Sequence, residues 1–261
     1  MRYLITLLTC LAAISAIPAH ASDDGVNPRT GAPAAWPEPV RRTRLSHFLI
    51  DRLEAGVADA EDTNVWDAQG WYGGDVHKGW LKTEGEGAQG EPLESAELQL
   101  GYGRMIGRFW DLQVGVRHDF RPDPDRTFLA FGVQGLAPYF FEVDAASFIS
   151  DDGDVSLRIE AEYELLITQR VILQPRFELN AAVQSVPEAG VGSGVNTTET
   201  GLRLRYEISR KFAPYLGFEW TQRYGETADF ARDGRAPTPV DRLAVGVRAG
   251  LLSAHHPTPV W

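Results

Sequence analysis

A long stretch of alternating apolar and polar residues constrains this chain more than any other feature. Within residues 155–167, every odd position is apolar, whereas the even positions are mostly charged. A period of two places one set of side chains on each face of a β-strand. Such a strand fits a soluble sandwich, in which the apolar face forms the core, or an outer-membrane barrel, in which that face meets lipid.

The same period recurs along the chain and predicts eleven strands. A weaker twelfth is predicted at residues 45–57, where Asp51 interrupts the apolar face and a short helix is the alternative. An even number of strands brings both ends of a barrel to the same side of the membrane. We therefore predict an all-β protein with one antiparallel transmembrane barrel over residues 45–253. About twelve strands are expected, or eight or ten if the early strands are short or merge.

The connections between these strands favour the barrel over the sandwich. From residue 105 onward, short turns such as Leu-Ala-Pro alternate with longer polar loops such as SVPEAGVGSGVN. Outer-membrane barrels have short periplasmic turns and longer extracellular loops, whereas a sandwich has no reason to separate them so regularly. Most strands also reach the ~9 to 11 residues that a tilted membrane strand needs.

The two ends of the chain have compositions of their own. Residues 1–21 resemble a secretory signal peptide, with Arg2 before an apolar run and Ala19-His20-Ala21 as the cleavage site. A barrel with such a signal is expected in the outer membrane of a Gram-negative cell. Residues 22–44 are rich in Pro and Ala and are expected to form a flexible periplasmic tail. Residues 254–261 are expected to be a short C-terminal extension.

The charge of the chain restricts its partners. The formal net charge is −11, so an exported protein of this composition is a poor nucleic-acid binder. In a barrel the charged face of each strand lines the lumen, and both signs occur there on neighbouring strands. These charges predict a cross-strand ion-pair network that fills a narrow barrel, and they also fit an ion path or an acidic cation site around Glu160, Glu162 and Glu164. The lumen-facing set includes Arg158, Glu160, Glu162, Glu164, Arg176, Arg203 and Arg205.

Several segments, in order, resemble the copper-resistance protein B family of outer-membrane proteins. They include WDAQGWYGGD, KGWLKTEGE, FWDLQVGVRHDF, FGVQGLAPYFFEVDA, LRIEAEYELLITQRVILQPRFELN, GLRLRYEISRKFAPYLGFEW and TADFAR. The resemblance covers about residues 45–250. It implies an outer-membrane β-barrel that binds copper ions, takes part in copper homeostasis and has no enzymatic activity. It also suggests a periplasmic copper-handling protein as a partner, besides copper and outer-membrane lipid.

The candidate copper ligands are few. Family members often carry a Met- and His-rich segment before the barrel, but residues 22–44 contain neither residue. Thioether and imidazole groups are preferred by copper, so the candidates within the barrel are His47, His77, His118 and Met105. We expect His47 and His77 to be the better pair, because both can face the periplasm. His118 shares its parity with the lipid-facing residues.

Two other functions fit the sequence less well than copper binding. A protease-like or lipase-like hydrolase would need acids and a histidine gathered at one rim, and only His118, Asp119, Asp123 and Asp125 offer such a cluster. The Asp and Pro residues of RPDPD are equally typical of a turn. A general diffusion pore is disfavoured, because a barrel of this size with so charged a lumen should be largely filled.

Overall fold

The described part of the chain is a closed antiparallel β-barrel. The computed structural model describes residues 44–58, 61–90, 92–122, 124–233 and 240–255. The predicted signal peptide and nearly all of the predicted tail therefore lie outside the described residues. The strands are Arg44–Ala58 (β1), Glu61–Gly73 (β2), His77–Ala88 (β3), Ser95–Gly107 (β4), Trp110–Arg121 (β5), Arg126–Ala137 (β6), Phe141–Ser150 (β7), Val155–Glu162 (β8), Leu165–Leu166 (β9), Val171–Ala182 (β10), Gly194–Tyr206 (β11), Phe212–Arg223 (β12) and Val240–His255 (β13).

These thirteen segments make twelve barrel strands. Each strand pairs with its neighbour in sequence, and β13 returns to lie beside β1, which closes the sheet. Segments β8 and β9 are one strand, because Glu162 faces Arg176 of β10 and Leu165 faces Leu173 in the same register. The prediction of a twelve-strand antiparallel barrel is confirmed, including the weak strand at residues 45–57.

One interruption was not predicted. Residues 155–167 were expected to form a continuous strand, but Tyr163 and Glu164 leave the regular ladder. The partner strand explains this gap. In the shared register Tyr163 faces Pro175, which has no N–H to donate, so one ladder hydrogen bond cannot form.

The connections separate the two ends of the barrel. The turns 74–76, 108–109, 138–140, 167–170 and 207–211 lie at the end that also carries residues 44 and 255, and we call this the turn end. The longest connections, 183–193 and 224–239, lie at the opposite end. The second of these contains a helix, Gly225–Asp233 (α1), where only a polar loop was expected. Short turns mark the periplasmic side of an outer-membrane barrel.

The barrel is apolar outside and polar inside. Leu100, Leu243 and Val245 expose more than 60% of their surface on the outer face. The lumen side buries charged groups, and Arg205 is only 1% exposed. Soluble proteins rarely expose so continuous an apolar band, whereas a membrane barrel presents it to lipid. Separately, no helix among the described residues is long and apolar enough to cross a bilayer.

A β-bulge at Asp51 explains why the first strand looked weak in the sequence. The register of β1 with β2 shifts between Ile50 and Arg52, so Asp51 has no partner of its own. A bulge adds one residue and changes the face on which the following residues lie. Leu49 therefore faces the lumen, whereas Leu53 faces outward. The apolar residues of this segment belong to two faces, which Asp51 separates.

Candidate functional site

A large cavity lies in the lumen at the turn end. Its volume is about 730 Å³, and we call it the vestibule. Its mouth includes turn residues Arg108, Phe109, Arg210 and Lys211. Seven Lys or Arg residues but only three Asp or Glu residues line it. The vestibule is therefore a basic cavity at the periplasmic end of the barrel.

A second cavity continues from the vestibule toward the middle of the barrel. Its volume is about 320 Å³, and we call it the acidic chamber. Its wall carries three bases, Lys82, Arg158 and Arg248, against eight acids: Asp51, Asp67, Glu84, Glu97, Glu142, Asp144, Glu160 and Glu162. The sign of the charge thus reverses along the barrel axis, from a basic mouth to an acidic interior.

Trp80 lies where the two cavities meet, because its indole lines both. Only 6% of the surface of Trp80 is exposed. Its indole packs against Gly101 and Gly115, which face each other on β4 and β5. A Cβ atom on Gly115 would lie 2.9 Å from the indole and 2.5 Å from the carbonyl oxygen of Leu100. The two glycines therefore make room for the indole that shapes the passage.

Replacing Gly101 with alanine is expected to destabilise the barrel by about 1–3 kcal/mol, the usual cost of overpacking a tight site. The new Cβ would lie 2.5 Å from the carbonyl oxygen of Val114 and would also meet the indole of Trp80. Gly79→Ala is the matched control, since its Cβ would come no closer than 3.9 Å to its neighbour. Urea unfolding of both refolded variants measures the difference. Equal stability of the two would contradict this account of Trp80.

Ion pairs cross the lumen between strands that are not neighbours. Arg158 on β8 reaches Glu84 on β3 and Glu97 on β4, each at 3.0 Å. Lys82 on β3 pairs with Asp144 on β7. These pairs bridge opposite walls, so the lumen is filled in places by side chains rather than left as an open channel.

The predicted lumen charges take part in this network. Arg176 lies 2.5 Å from Glu160 and 3.4 Å from Glu162, and it also pairs with Glu178. Only 2% of its side chain is exposed. All seven predicted residues form ion pairs, which include Arg203–Asp51 at 3.0 Å and Arg205–Glu164 at 2.6 Å. Desolvated charges of this kind are stable only when paired.

Sequence reasoning missed several lumen residues on the first three strands. Asp51 pairs with Arg203 and with Arg248, at 3.0 and 2.7 Å. Asp67 and Glu84 face each other across β2 and β3 on the wall of the acidic chamber. The signal for Asp51 was present in the sequence, because a lone acid within an apolar face is what a bulge in a membrane strand produces.

Two of the four candidate copper ligands line the vestibule. His47 stacks on Trp71 with ring centroids 6.0 Å apart, and both side chains lie on the cavity wall. Met105, near the end of β4, lines the same cavity. One imidazole and one thioether are thus presented to the lumen at its periplasmic end.

The other two candidates lie on the outer face. His77 Nδ1 is hydrogen-bonded to the hydroxyl of Tyr102, whose ring is exposed on the outer surface. His118 Nδ1 lies 2.9 Å from Thr127 Oγ1 and packs edge-on against Phe120. His47 and His77 are therefore both at the periplasmic end but on opposite faces of the wall. The structure does not bring them together as a pair.

No ready-made metal site occurs among the residues that the structure describes. They contain no group of three or more His, Cys, Asp or Glu side chains that could hold a metal ion. Asp119 faces the lumen and pairs with Arg117 at 2.6 Å, whereas His118 faces outward. Asp123, another member of the proposed hydrolase cluster, lies outside the described residues.

Comparison with known proteins gives consistent matches. The family described as copper resistance protein B precursor matches residues 44–250. Copper resistance protein B of Escherichia coli is 48% identical over 184 residues, which are 70% of this chain and 62% of that protein. The homologue of Pseudomonas syringae pv. tomato is 44% identical over 203 residues, which are 78% of this chain and 69% of that protein. This chain thus spans less than two thirds of the Escherichia coli relative.

Solved structures resemble this barrel in fold. The NanC porin superposes with a TM-score of 0.55 at 13% identity, covering 78% of this chain and all of that chain. The KdgM porin in complex with disordered oligogalacturonate has a TM-score of 0.50 at 12% identity, covering 77% of this chain and 98% of that chain. At such low identity these similarities concern the architecture alone.

Proposed function

Since this chain belongs to the copper resistance protein B family, we propose that its barrel binds copper ions, or passes them, through the lumen at the outer membrane. Family and fold together support an outer-membrane role in copper resistance. We further propose that the lumen itself is where copper ions bind or through which they pass. The observation that carries it is the presence of His47 and Met105 on the wall of one cavity.

The chemistry of these two side chains suits copper. Imidazole binds Cu(II) well, and a thioether selects the softer Cu(I). His77 and His118 are left out of this proposed site, because both lie on the outer face. The vestibule thus presents the two kinds of copper ligand that the chain offers to the lumen.

The acidic chamber supports the proposal that copper ions pass through the lumen. Acidic residues on its wall outnumber bases by five, and such an excess of carboxyl groups favours cations over anions. Asp67 and Glu142 have no hydrogen bond or ion pair with any residue that the structure describes. A cation that has entered the vestibule therefore meets favourable potential farther inside.

The rival functions are less well supported. The family is a copper-resistance family and not a known enzyme family, and we propose that the barrel has no catalytic activity. His118 and Asp119 lie on opposite faces of β5, so the predicted hydrolase cluster loses its histidine on the lumen side. A general diffusion pore is disfavoured by the ion pairs that cross the lumen.

The two segments before the barrel also have proposed roles. We propose that residues 1–21 are removed as a signal peptide and that residues 22–44 form a periplasmic tail without Met or His ligands. Copper capture would then fall to the barrel. A periplasmic copper-handling protein would meet the barrel at the vestibule, which opens at the turn end.

Copper titration of the refolded mature protein tests the site. We expect His47→Ala and Met105→Leu each to weaken binding about tenfold, which corresponds to ~1.4 kcal/mol, because each removes one ligand. His77→Ala and His118→Ala are the matched controls and should bind as the parent does. Titrations with Cu(II), and with Cu(I) under reducing conditions, give both affinities. Unchanged affinity in the His47→Ala, Met105→Leu double variant would overturn the site assignment.

A further inference from the structure

The basic residues of the barrel divide into two groups. The lumen arginines described above are all engaged in ion pairs. Among the described residues, the Arg and Lys side chains with no hydrogen bond or ion pair all lie at the turn end: Arg44, Arg104, Arg108, Arg170, Arg210 and Lys211. Positive charge without an internal partner is thus concentrated at one mouth of the barrel.

Three of these six residues line the vestibule: Arg108, Arg210 and Lys211. Arg108 lies in the turn between β4 and β5, and the other two lie in the turn between β11 and β12. Four barrel strands separate these turns in either direction around the sheet, since β8 and β9 count as one. The three charges therefore face each other from opposite sides of the cavity mouth.

The deeper bases of the vestibule already have partners. Lys78 lies 2.6 Å from Asp111, and Arg205 lies 2.6 Å from Glu164. The charged residues of the vestibule wall that pair with no described residue are therefore the bases Arg108, Arg210 and Lys211 and one acid, Glu142, which leaves a formal excess of two positive charges. Like charges around one cavity repel each other, and an anion bound between them relieves that repulsion.

We propose that the vestibule is a binding site for a small polycarboxylate anion, which bridges Arg108 on one rim and Arg210 and Lys211 on the other. The cavity volume of about 730 Å³ lies within the range of small-molecule sites. Arginine binds carboxylates through two parallel N–H donors, so a ligand with a carboxylate at each end fits two opposed rims. Phe109, Trp110 and Phe212 line the same mouth and offer apolar contact to its carbon skeleton.

The positions of the charges favour a soluble anion over a lipid headgroup as the ligand of the vestibule. Arg104 alternates with the lumen-facing residues of β4 and belongs to the outer face, where lipid phosphates are available. Arg108, Arg210 and Lys211 line the cavity inside the barrel wall. The inference does not depend on copper binding, because it can be measured on copper-free protein. It extends the proposed function, since a bound anion would neutralise the basic mouth that a cation must pass.

Calorimetric titration of the copper-free, refolded mature protein with citrate at low salt tests the proposal. We expect one citrate per barrel, with an affinity that falls as salt is added. The triple variant Arg108→Gln, Arg210→Gln, Lys211→Gln should bind citrate at least about tenfold more weakly. The matched control, Arg44→Gln, Arg104→Gln, Arg170→Gln, removes the same charge from the same end of the barrel and should bind as the parent does.

Other probes separate the alternatives. Inorganic phosphate should bind more weakly than citrate, because a single small anion does not span both rims. Equal loss of citrate binding in both triple variants would overturn the proposal, since only the general charge of the turn end would then matter. Binding of a polyglutamate peptide without binding of citrate would also overturn it in favour of an acidic protein partner. Absence of citrate binding to a folded barrel, checked by its heat-modifiable migration, would overturn it as well.

Discussion

Replacing Arg176 with methionine is expected to lower the free energy of unfolding by about 3–5 kcal/mol, the usual cost of removing one partner from a buried ion pair. Its guanidinium is the shared partner of Glu160, Glu162, Glu178 and Glu199. Methionine keeps much of the volume but leaves these carboxylates without their common cation. Since a domain is commonly stable by only about 5–15 kcal/mol, so large a loss is easily measured.

Urea unfolding in detergent or lipid vesicles, followed by tryptophan fluorescence, measures this loss. Arg170→Met is the matched control, because Arg170 is exposed in a turn and its side chain pairs with no described residue. Adding Glu160→Met to Arg176→Met should recover part of the stability, because Glu160 pairs with no described residue other than Arg176, so its orphaned carboxylate is removed. A further loss of stability in that double variant would contradict the ion-pair explanation.

Deleting Asp51 is expected to be more damaging than any substitution at that position. The bulge places Asp51 and Arg52 both toward the lumen, so its removal puts the first part of β1 on the wrong face. His47 would turn toward lipid, whereas Phe48 would turn into the lumen. We expect a loss of more than about 4–5 kcal/mol, in the range seen only for severe structural defects, and failure of much of the protein to close into a barrel.

The Asp51→Asn variant distinguishes the effect of the bulge on stability from the effect of the Asp51 charge. It keeps the extra residue but weakens the pairs with Arg203 and Arg248, which retain Glu162 and Glu164 as further partners. We therefore expect a smaller loss than for the deletion, with His47 still in the vestibule. Heat-modifiable migration and copper titration of both variants make the comparison. A deletion variant as stable as Asp51→Asn would show that the bulge does not determine the face of β1.

The charges of the lumen form an ordered arrangement along the barrel axis. The mouth is basic, the chamber behind it is acidic, and ion pairs such as Arg158–Glu97 bridge the walls. A bare cation at the periplasmic side meets an unfavourable potential before a favourable one. If copper enters or leaves by this mouth, an anion bound there should raise its rate of passage. The two proposals are therefore linked but separately testable.

Local sequence pattern was enough to predict most of the fold. The alternation of residues 155–167 and its repeats predicted twelve strands, and Leu-Ala-Pro and the other short connections predicted which end is periplasmic. The exceptions have specific causes. Pro175 interrupts the partner ladder of Tyr163, and the Asp51 bulge divides one apolar face into two. Both effects depend on the neighbouring strand, which a pattern along one strand does not contain.

The candidate site was predicted less completely. Parity along each strand correctly placed Arg176, Arg203 and Arg205 in the lumen, and it placed His118 outside. Parity did not show that His47 and His77 lie on opposite faces of the wall, because the bulge at Asp51 changes the parity between His47 and the later residues of β1. The acidic chamber was anticipated only in part: Glu160 and Glu162 belonged to the predicted cation site and line the chamber, whereas Asp67 and Glu84 lie on early strands whose lumen face was not recognised.

The sequence by itself thus determined the barrel, its polar interior and its family, because each of these follows from local periodicity, turn chemistry and recognisable segments, and it favoured twelve strands over eight or ten. Only the tertiary structure decided which charges meet, where the lumen remains open and which histidine reaches it. Asp51 and Arg248 are 197 residues apart in sequence, yet they lie 2.7 Å apart across the barrel seam. Closing a sheet brings such residues together through strand order and register, and neither quantity can be read from one strand alone.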